Sequence, residues 1–329
     1  DDPLIENEQN DGPSFSTWYD AERDFEKVLH LVQDLADEER KEKTVAKKKM
    51  DSRAALLAKQ QKGEPLTPEI LQRVEKALER ADLSNLVRRQ FICSIDKQMV
   101  PEQIFSELFI SIMDLRETLL PGVNLTSNQW LFQHLTEALD KRMLAMLIKT
   151  DTISLSGDIS FNLNLSTLLS PEFQAFDESV TAGRRGSMII ELQKLDVLAN
   201  LGSFLFAREY VQDRGYRVCL DGLTHDTIRI IKQERLGADL IKLVWHSDMV
   251  DSGETMRNEV QEVVESTGAS KLVLCRVDNR EAVDFGHSVG ISQFQGRFVE
   301  NLIAEDNRRR ELLKIKRRME RNDEQKEEK

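Results

Sequence analysis

Apolar residues recur in two rhythms along this chain, and the change from one to the other divides it. From Ser16 onward, Trp18, Phe25, Val28, Leu29, Val32 and Leu35 fall at three- and four-residue steps behind Thr17 as a cap, which predicts an amphipathic helix. The continuation to Gly63 mixes charges of both signs and lacks Gly and Pro, so that helix is expected to run on as an exposed rod. Gly63 to Pro65 breaks the pattern and Thr67-Pro68-Glu69 restarts it, with Thr as cap and Pro in the first helical position. Ile70, Leu71, Val74, Ala77 and Leu78 then share one face. Between Leu86 and Gln98 the period shortens towards two at Phe91, Cys93 and Ile95, the mark of a first strand. Residues 1–13, acidic and poor in large apolar groups, therefore read as a linker, residues 14–85 as a helical N-terminal module, and residue 86 as the start of another domain.

Beyond that point the two rhythms alternate. Strands are expected at Phe105–Met113, Ile159–Leu165, Met188–Leu192, Arg217–Leu220, Leu240–Val244 and Lys271–Arg276, and helices at Gln129–Ile148, Val197–Gln212, Asp226–Glu234 and Glu254–Ser266, with a last short segment around Ile291. Repeated βα units of this kind point to a barrel or a doubly wound sheet spanning residues 86–303. Residues 304–329 read as a charged C-terminal helix or tail, with Leu312, Leu313, Ile315 and Met319 on one side and basic runs at Arg308–Arg310 and Lys314–Arg318. Interspersed glutamates nearly neutralise those runs, so the expected state is a solvated helix that frays after about Arg321.

Composition narrows the class. The chain has 329 residues, of which 40% are apolar, enough for a sizeable core, and its formal charge of −12 argues against broad nucleic-acid binding. Cys93, Cys219 and Cys275 each sit in an apolar run without CxxC spacing, which favours buried reduced thiols over disulfides or zinc ligands. No apolar run approaches the roughly 20 residues that span a bilayer, and the start does not resemble a signal peptide, so a cytoplasmic location is expected. The missing initiator Met points to a piece of a longer chain. GxGxxG, P-loop and HExxH patterns are absent, and His225, Asp226 and His246 read as ordinary loop and helix-start residues.

The candidate chemistry lies at strand ends. Glu107 falls within a strand, Asn164 ends FNLNLS, Glu191 ends MIIEL, Asp221 ends RVCLD, Lys242 follows DLI and Gln295 precedes Gly296. Parallel strands bring such ends to one rim, where α/β barrels place their chemistry. Carboxylates and an amide gathered there are hard oxygen ligands of the kind that Mg²⁺ or Mn²⁺ takes, and a lysine beside them can balance a phosphate.

In this set the chain resembles the EAL domains, cyclic di-GMP phosphodiesterases built on a modified TIM-type (β/α)8 barrel. The resemblance covers about residues 86 to 303 and rests on the order of FNLNLST with LLSPEF, IIELQK, GYRVCLDGL, DLIK and VGISQFQG. It implies an α/β barrel of the EAL kind preceded by an α-helical region. It also implies that Glu107, Asn164, Glu191 and Asp221 fall on the family's first metal site, with Lys242 and Gln295 near the reacting phosphate and the nucleotide. Glu107-Leu108-Phe109 stands where Glu-Ala-Leu would be, Gly222 replaces the second aspartate of a pair, and Cys275 stands where a metal-binding glutamate would. Lys194 replaces a glutamate that orders the loop over the site, and Ser111 replaces an arginine that contacts phosphate. A two-ion hydrolysis lacking those carboxylates loses several orders of magnitude in rate. The expectation is therefore a degenerate EAL domain, a pseudoenzyme of bacterial signalling that acts as a regulatory scaffold. Its implied needs are a protein partner, homodimerisation and no cofactor beyond at most one Mg²⁺ or Mn²⁺ ion. The alternatives are a cyclic di-GMP receptor without hydrolysis and a weak residual phosphodiesterase.

Overall fold

The computed structural model describes residues 63–80, 83–149, 157–230, 233–251 and 253–327. The amphipathic helix expected after Thr17 and its charged continuation lie outside them. Eight strands close into a barrel: β1 (Val87–Ile95), β2 (Pro101–Ile110), β3 (Asp158–Asn162), β4 (Met188–Gln193), β5 (Arg217–Leu223), β6 (Leu240–Val244), β7 (Leu272–Cys275) and β8 (Gln293–Phe294). From β2 to β8 neighbours run parallel, whereas β1 is antiparallel to both β2 and β8. The connection explains that reversal. Only Asp96 to Val100 separate β1 from β2, too few residues for a crossover, and Asp96 closes the turn by accepting the Val100 N–H on Oδ1 at 2.8 Å. Helix and strand alternate as expected only from β2 onward.

Several boundaries move for local reasons. The strand expected to reach Met113 stops at Ile110, because Ser111 accepts the Asp114 N–H on Oγ at 3.2 Å and starts a helix at Ile112–Leu119. The strand expected to reach Leu165 stops at Asn162, and Leu165–Leu168 form a short helix. Near Ile291 the last strand is Gln293–Phe294.

The helices used below are α1 (Pro68–Arg80), α2 (Ile112–Leu119), α3 (Gln129–Lys149), α4 (Lys194–Ala199), α5 (Leu201–Gln212) and α6 (Arg297–Glu327). α1 starts at Pro68 behind Thr67, whose Oγ1 accepts the Ile70 N–H at 3.4 Å. It turns Leu71, Val74 and Leu78 onto Leu115 of α2 and Leu135 and Leu139 of α3, and Leu66 joins the same cluster. Glu64–Pro65 pair in parallel with Val123–Asn124 beside it. The compact unit therefore begins at Glu64 and not at residue 86. Each such buried side chain contributes about 1.5–3 kcal/mol, enough to fasten a helix that precedes the first barrel strand. At the other end the last barrel helix and the tail are one element, α6. All three cysteines are buried and free, and no helix among the described residues is long and apolar enough to cross a membrane.

Candidate functional site

Residues two apart on a strand share a face, and inside this barrel that alternation sorts them into levels. Ile92, Phe105, Ile189, Cys219, Leu240 and Val273 make one apolar level. Two residues further along the parallel strands stand Glu107, Glu191, Asp221, Lys242 and Cys275, at the strands' carboxyl ends. Asn162, Gln295 and Gln90, the last from antiparallel β1, join them through hydrogen bonds.

Lys242 is the hub. Its Nζ lies 2.6 Å from Glu107 Oε2 and donates to Glu191 Oε2 at 2.7 Å, with Glu191 Oε1 also 2.6 Å away. Lys242 is 1% exposed and Glu191 0%, so both groups are out of water. Burial alone would push the Lys242 pKa down, but the charges of Glu191 and Glu107 outweigh it and hold the ammonium well above its usual range. The two carboxylates then divide one cation unequally. Burial would raise Glu107, yet the Lys242 charge and bonds from Lys242, Gln295 and Asn162 bring it below its ordinary value. Among the described residues Glu191 accepts from Lys242 alone, and burial together with the charge of Glu107 pushes it up to about 8.

The remaining polar groups are tied to this core. Gln295 Nε2 donates to Glu107 Oε2 at 2.6 Å and to Gln90 Oε1 at 3.1 Å, and its Oε1 accepts from Cys275 Sγ at 3.4 Å. Asn162 Nδ2 donates to Glu107 Oε1 at 2.7 Å. Burial first of all pushes the Cys275 thiol well above its usual range, so a neutral thiol stands where the resemblance would place a carboxylate ligand. Asp221, at the rim, accepts from Gln193 Nε2 and from the Gly222 N–H, the latter at 2.7 Å.

Of the expected site residues, Glu107, Glu191, Lys242 and Gln295 converge, and Asp221 stands beside them. Asn164 does not. It lies two residues past the end of β3, and its Nδ2 and backbone N–H both donate to Asp140 Oδ2 on α3, at 2.7 and 2.6 Å. The asparagine that reaches the barrel mouth is Asn162. FNLNLS offers two asparagines of the same parity, and parity alone cannot say which is still in the strand. Gln90, Gln193 and Asn162 are the members missed from sequence. Lys194 opens α4, outside the bonded cluster, and Ser111 caps α2. Arg276, just past β7, is exposed and holds a φ of 60°. Gly222 holds a φ of +80°, and a Cβ there would lie 3.1 Å from Gln193 Oε1. The backbone at this position is shaped for glycine.

A divalent ion bound by side chains needs several oxygens turned towards one point. Here Glu107 and Glu191 turn to an ammonium and Asp221 turns to Gln193 and Gly222. Among the described residues no three His, Cys, Asp or Glu side chains stand together as a ligand group. The donor set as arranged does not fit a two-ion centre.

No protein-family model matches the chain, and no curated protein matches its sequence. Solved structures do match in shape. The apo form of a Vibrio cholerae LapD segment, S helix-GGDEF-EAL, matches over 70% of this chain and 56% of its own length, with a TM-score of 0.52 at 13% identity. The crystal structure of the FimX EAL domain matches over 70% of this chain and 94% of its own, with a TM-score of 0.50 at 12% identity. At such identities the likeness is one of architecture, and the closed barrel with its reversed first strand is an EAL-type (β/α)8 fold.

Proposed function

We propose that this chain is a catalytically inactive EAL-type module of cyclic di-GMP signalling that works as a regulatory scaffold through protein–protein contact. LapD from Vibrio cholerae has also been solved bound to cyclic di-GMP, which supplies the signalling context. The observation that carries inactivity is the clamp on Lys242. Its ammonium lies within 2.6 Å of both buried carboxylates, and the neighbouring strand end offers Gly222 in place of a second acid. Hydrolysis by two ions needs carboxylates free to hold both, and here the positive charge is built into the chain. A protein partner is favoured by exposed apolar side chains on α4 and α5, with Leu195 and Phe206 each 64% exposed and Leu198 and Leu201 exposed as well. The same reading takes the protein as cytoplasmic, homodimeric and in need of no cofactor, with room for one Mg²⁺ or Mn²⁺ ion at most.

The test is a phosphodiesterase assay on cyclic di-GMP with Mg²⁺ and with Mn²⁺. Hydrolysis indistinguishable from the buffer control is expected, and turnover comparable to an intact EAL enzyme would overturn the reading. A second reading is a receptor that binds cyclic di-GMP without cleaving it. The exposed side chains of Gln193 and Arg276 at the carboxyl-end rim favour it, since both can donate to phosphate without a metal. Calorimetric titration with the nucleotide in EDTA separates the two: heat of binding supports the receptor, and its absence at high micromolar ligand removes it.

A further inference from the structure

α6 leaves the barrel as one continuous helix from Arg297 to Glu327. Its first turns are fixed by Val299 and Ile303, which are buried, and by Glu300, whose carboxylate accepts the Phe91 N–H at 2.8 Å. Further along, Leu312 is 66% exposed, Ile315 53% and Leu313 47%, so three large aliphatic side chains stand in water on a single helix. At 100° per residue Leu312 lies about 180° around the axis from Ile303, so this stripe faces away from the barrel and cannot be packed by it. Met319 falls on the same line of the sequence. The spacing 312, 315, 319 is a three-then-four step, the seam of a coiled coil, with Leu313 on its flank.

We propose that the stretch 311–323 of α6 pairs with the same stretch of a second copy of this chain in a short, parallel, in-register coiled coil. With Leu312 and Met319 at a positions and Ile315 at d, the flanking g and e positions are Glu311, Lys316, Arg318 and Asp323. In a parallel pair each g position faces the following e position of the other copy. Glu311 then meets Lys316 and Arg318 meets Asp323, opposite charges at both steps and twice over by symmetry. Asn322 takes the next d position and meets its own counterpart. An antiparallel pairing would set Asn322 against Leu312, which leaves an amide in apolar surroundings. The basic excess of the segment does not oppose the contact, because Arg310, Lys314, Arg317 and Arg321 occupy the outward c and f positions; Arg310 is paired within its own helix to Asp306 at 2.6 Å. This contact is independent of what the barrel mouth binds.

The test uses the full chain. Light scattering across a concentration series should show a monomer–dimer equilibrium that Leu312→Glu/Ile315→Glu abolishes while the far-ultraviolet spectrum and thermal midpoint of the barrel are kept. Glu311→Lys should weaken dimerisation roughly tenfold by setting like charges together, and Glu311→Lys/Lys316→Glu should restore it. Ile315→Cys should give a covalent dimer on mild oxidation, since only a parallel register brings position 315 against itself and the native thiols are buried. A chain that stays monomeric at every concentration overturns the proposal. So does a dimer indifferent to the Leu312→Glu/Ile315→Glu change. Binding of a monomeric chain to phosphatidylserine vesicles, lost in the same variant, would assign the stripe to a lipid surface instead.

Discussion

Lys242 shows how far a single buried charge depends on its neighbours. Replacing it with Met keeps the volume and removes the cation, leaving Glu107 and Glu191 facing each other out of water. Lys242→Met should therefore lower unfolding stability by about 3–5 kcal/mol, read as a drop in the urea midpoint with an unchanged slope. Asp140 offers a pH-dependent counterpart. It is buried, and although its Oδ2 accepts from Asn164 twice and from Thr167, desolvation outweighs those bonds and pushes its carboxyl up to about 7. A carboxyl raised in the folded state binds protons there more tightly than in the unfolded chain. Its contribution is thus full below about pH 4 and is lost as pH rises through about 7. Asp140→Asn, which keeps the accepting oxygen, should flatten that part of the stability profile, so that variant and native chain diverge most above pH 7 in thermal denaturation. Strand-end position was enough to gather Glu107, Glu191, Lys242 and Gln295 at one rim from sequence. It could not choose Asn162 over Asn164, because the choice depends on where β3 ends. Gln90 escaped because β1 runs the other way, so its polar position is read from the opposite end.

At the level of elements, the irregularity in β5 between Leu220 and Leu223 shows why the acid that the resemblance implies at position 222 is not one substitution away. Gly222→Asp would place a carboxylate there, but it would do so at a φ of +80° with Cβ 3.1 Å from Gln193 Oε1. The variant should lose about 1 kcal/mol in chemical denaturation and gain no phosphodiesterase turnover, since Glu107 and Glu191 would still be held by Lys242. Long helices were legible where short ones were not, and Ile112–Leu119, Pro171–Ser179 and Arg280–Ser288 carried no expectation. α3 matches its expected span to within one residue, since a 21-residue helix carries many repeats of its period. Strand limits were not legible where a short polar residue ends the ladder locally, as Ser111 does by capping α2, because apolar alternation continues past it to Met113. The direction of β1 was hidden as well. Alternation is the same read forward or backward, and only the brevity of the Asp96–Val100 connection records the reversal.

For the whole molecule, the unit that folds together starts at Glu64. A chain beginning at Glu64 should unfold in one cooperative transition, whereas one beginning at Ser84 loses Leu66, Leu71, Val74 and Leu78 from the cluster over α2 and α3. Calorimetry should show that shorter chain with a much lowered midpoint, or aggregated through the surface it exposes. The sequence boundary near residue 86 followed a real change in rhythm, from helical to strand period. Rhythm reports secondary structure, though, and packing decides which helices belong to which body. The barrel class itself was legible because its strands recur with helices between them over most of the chain. Its closure has a consequence in time. Phe294 pairs with Cys93, and Glu300 reaches back to the Phe91 amide, across some two hundred residues of sequence. During synthesis β1 emerges early and waits with one edge unpaired until β8 clears the ribosome, so the nascent chain passes through a long interval with an open sheet. The shortest strand of the barrel, Gln293–Phe294, ends that interval.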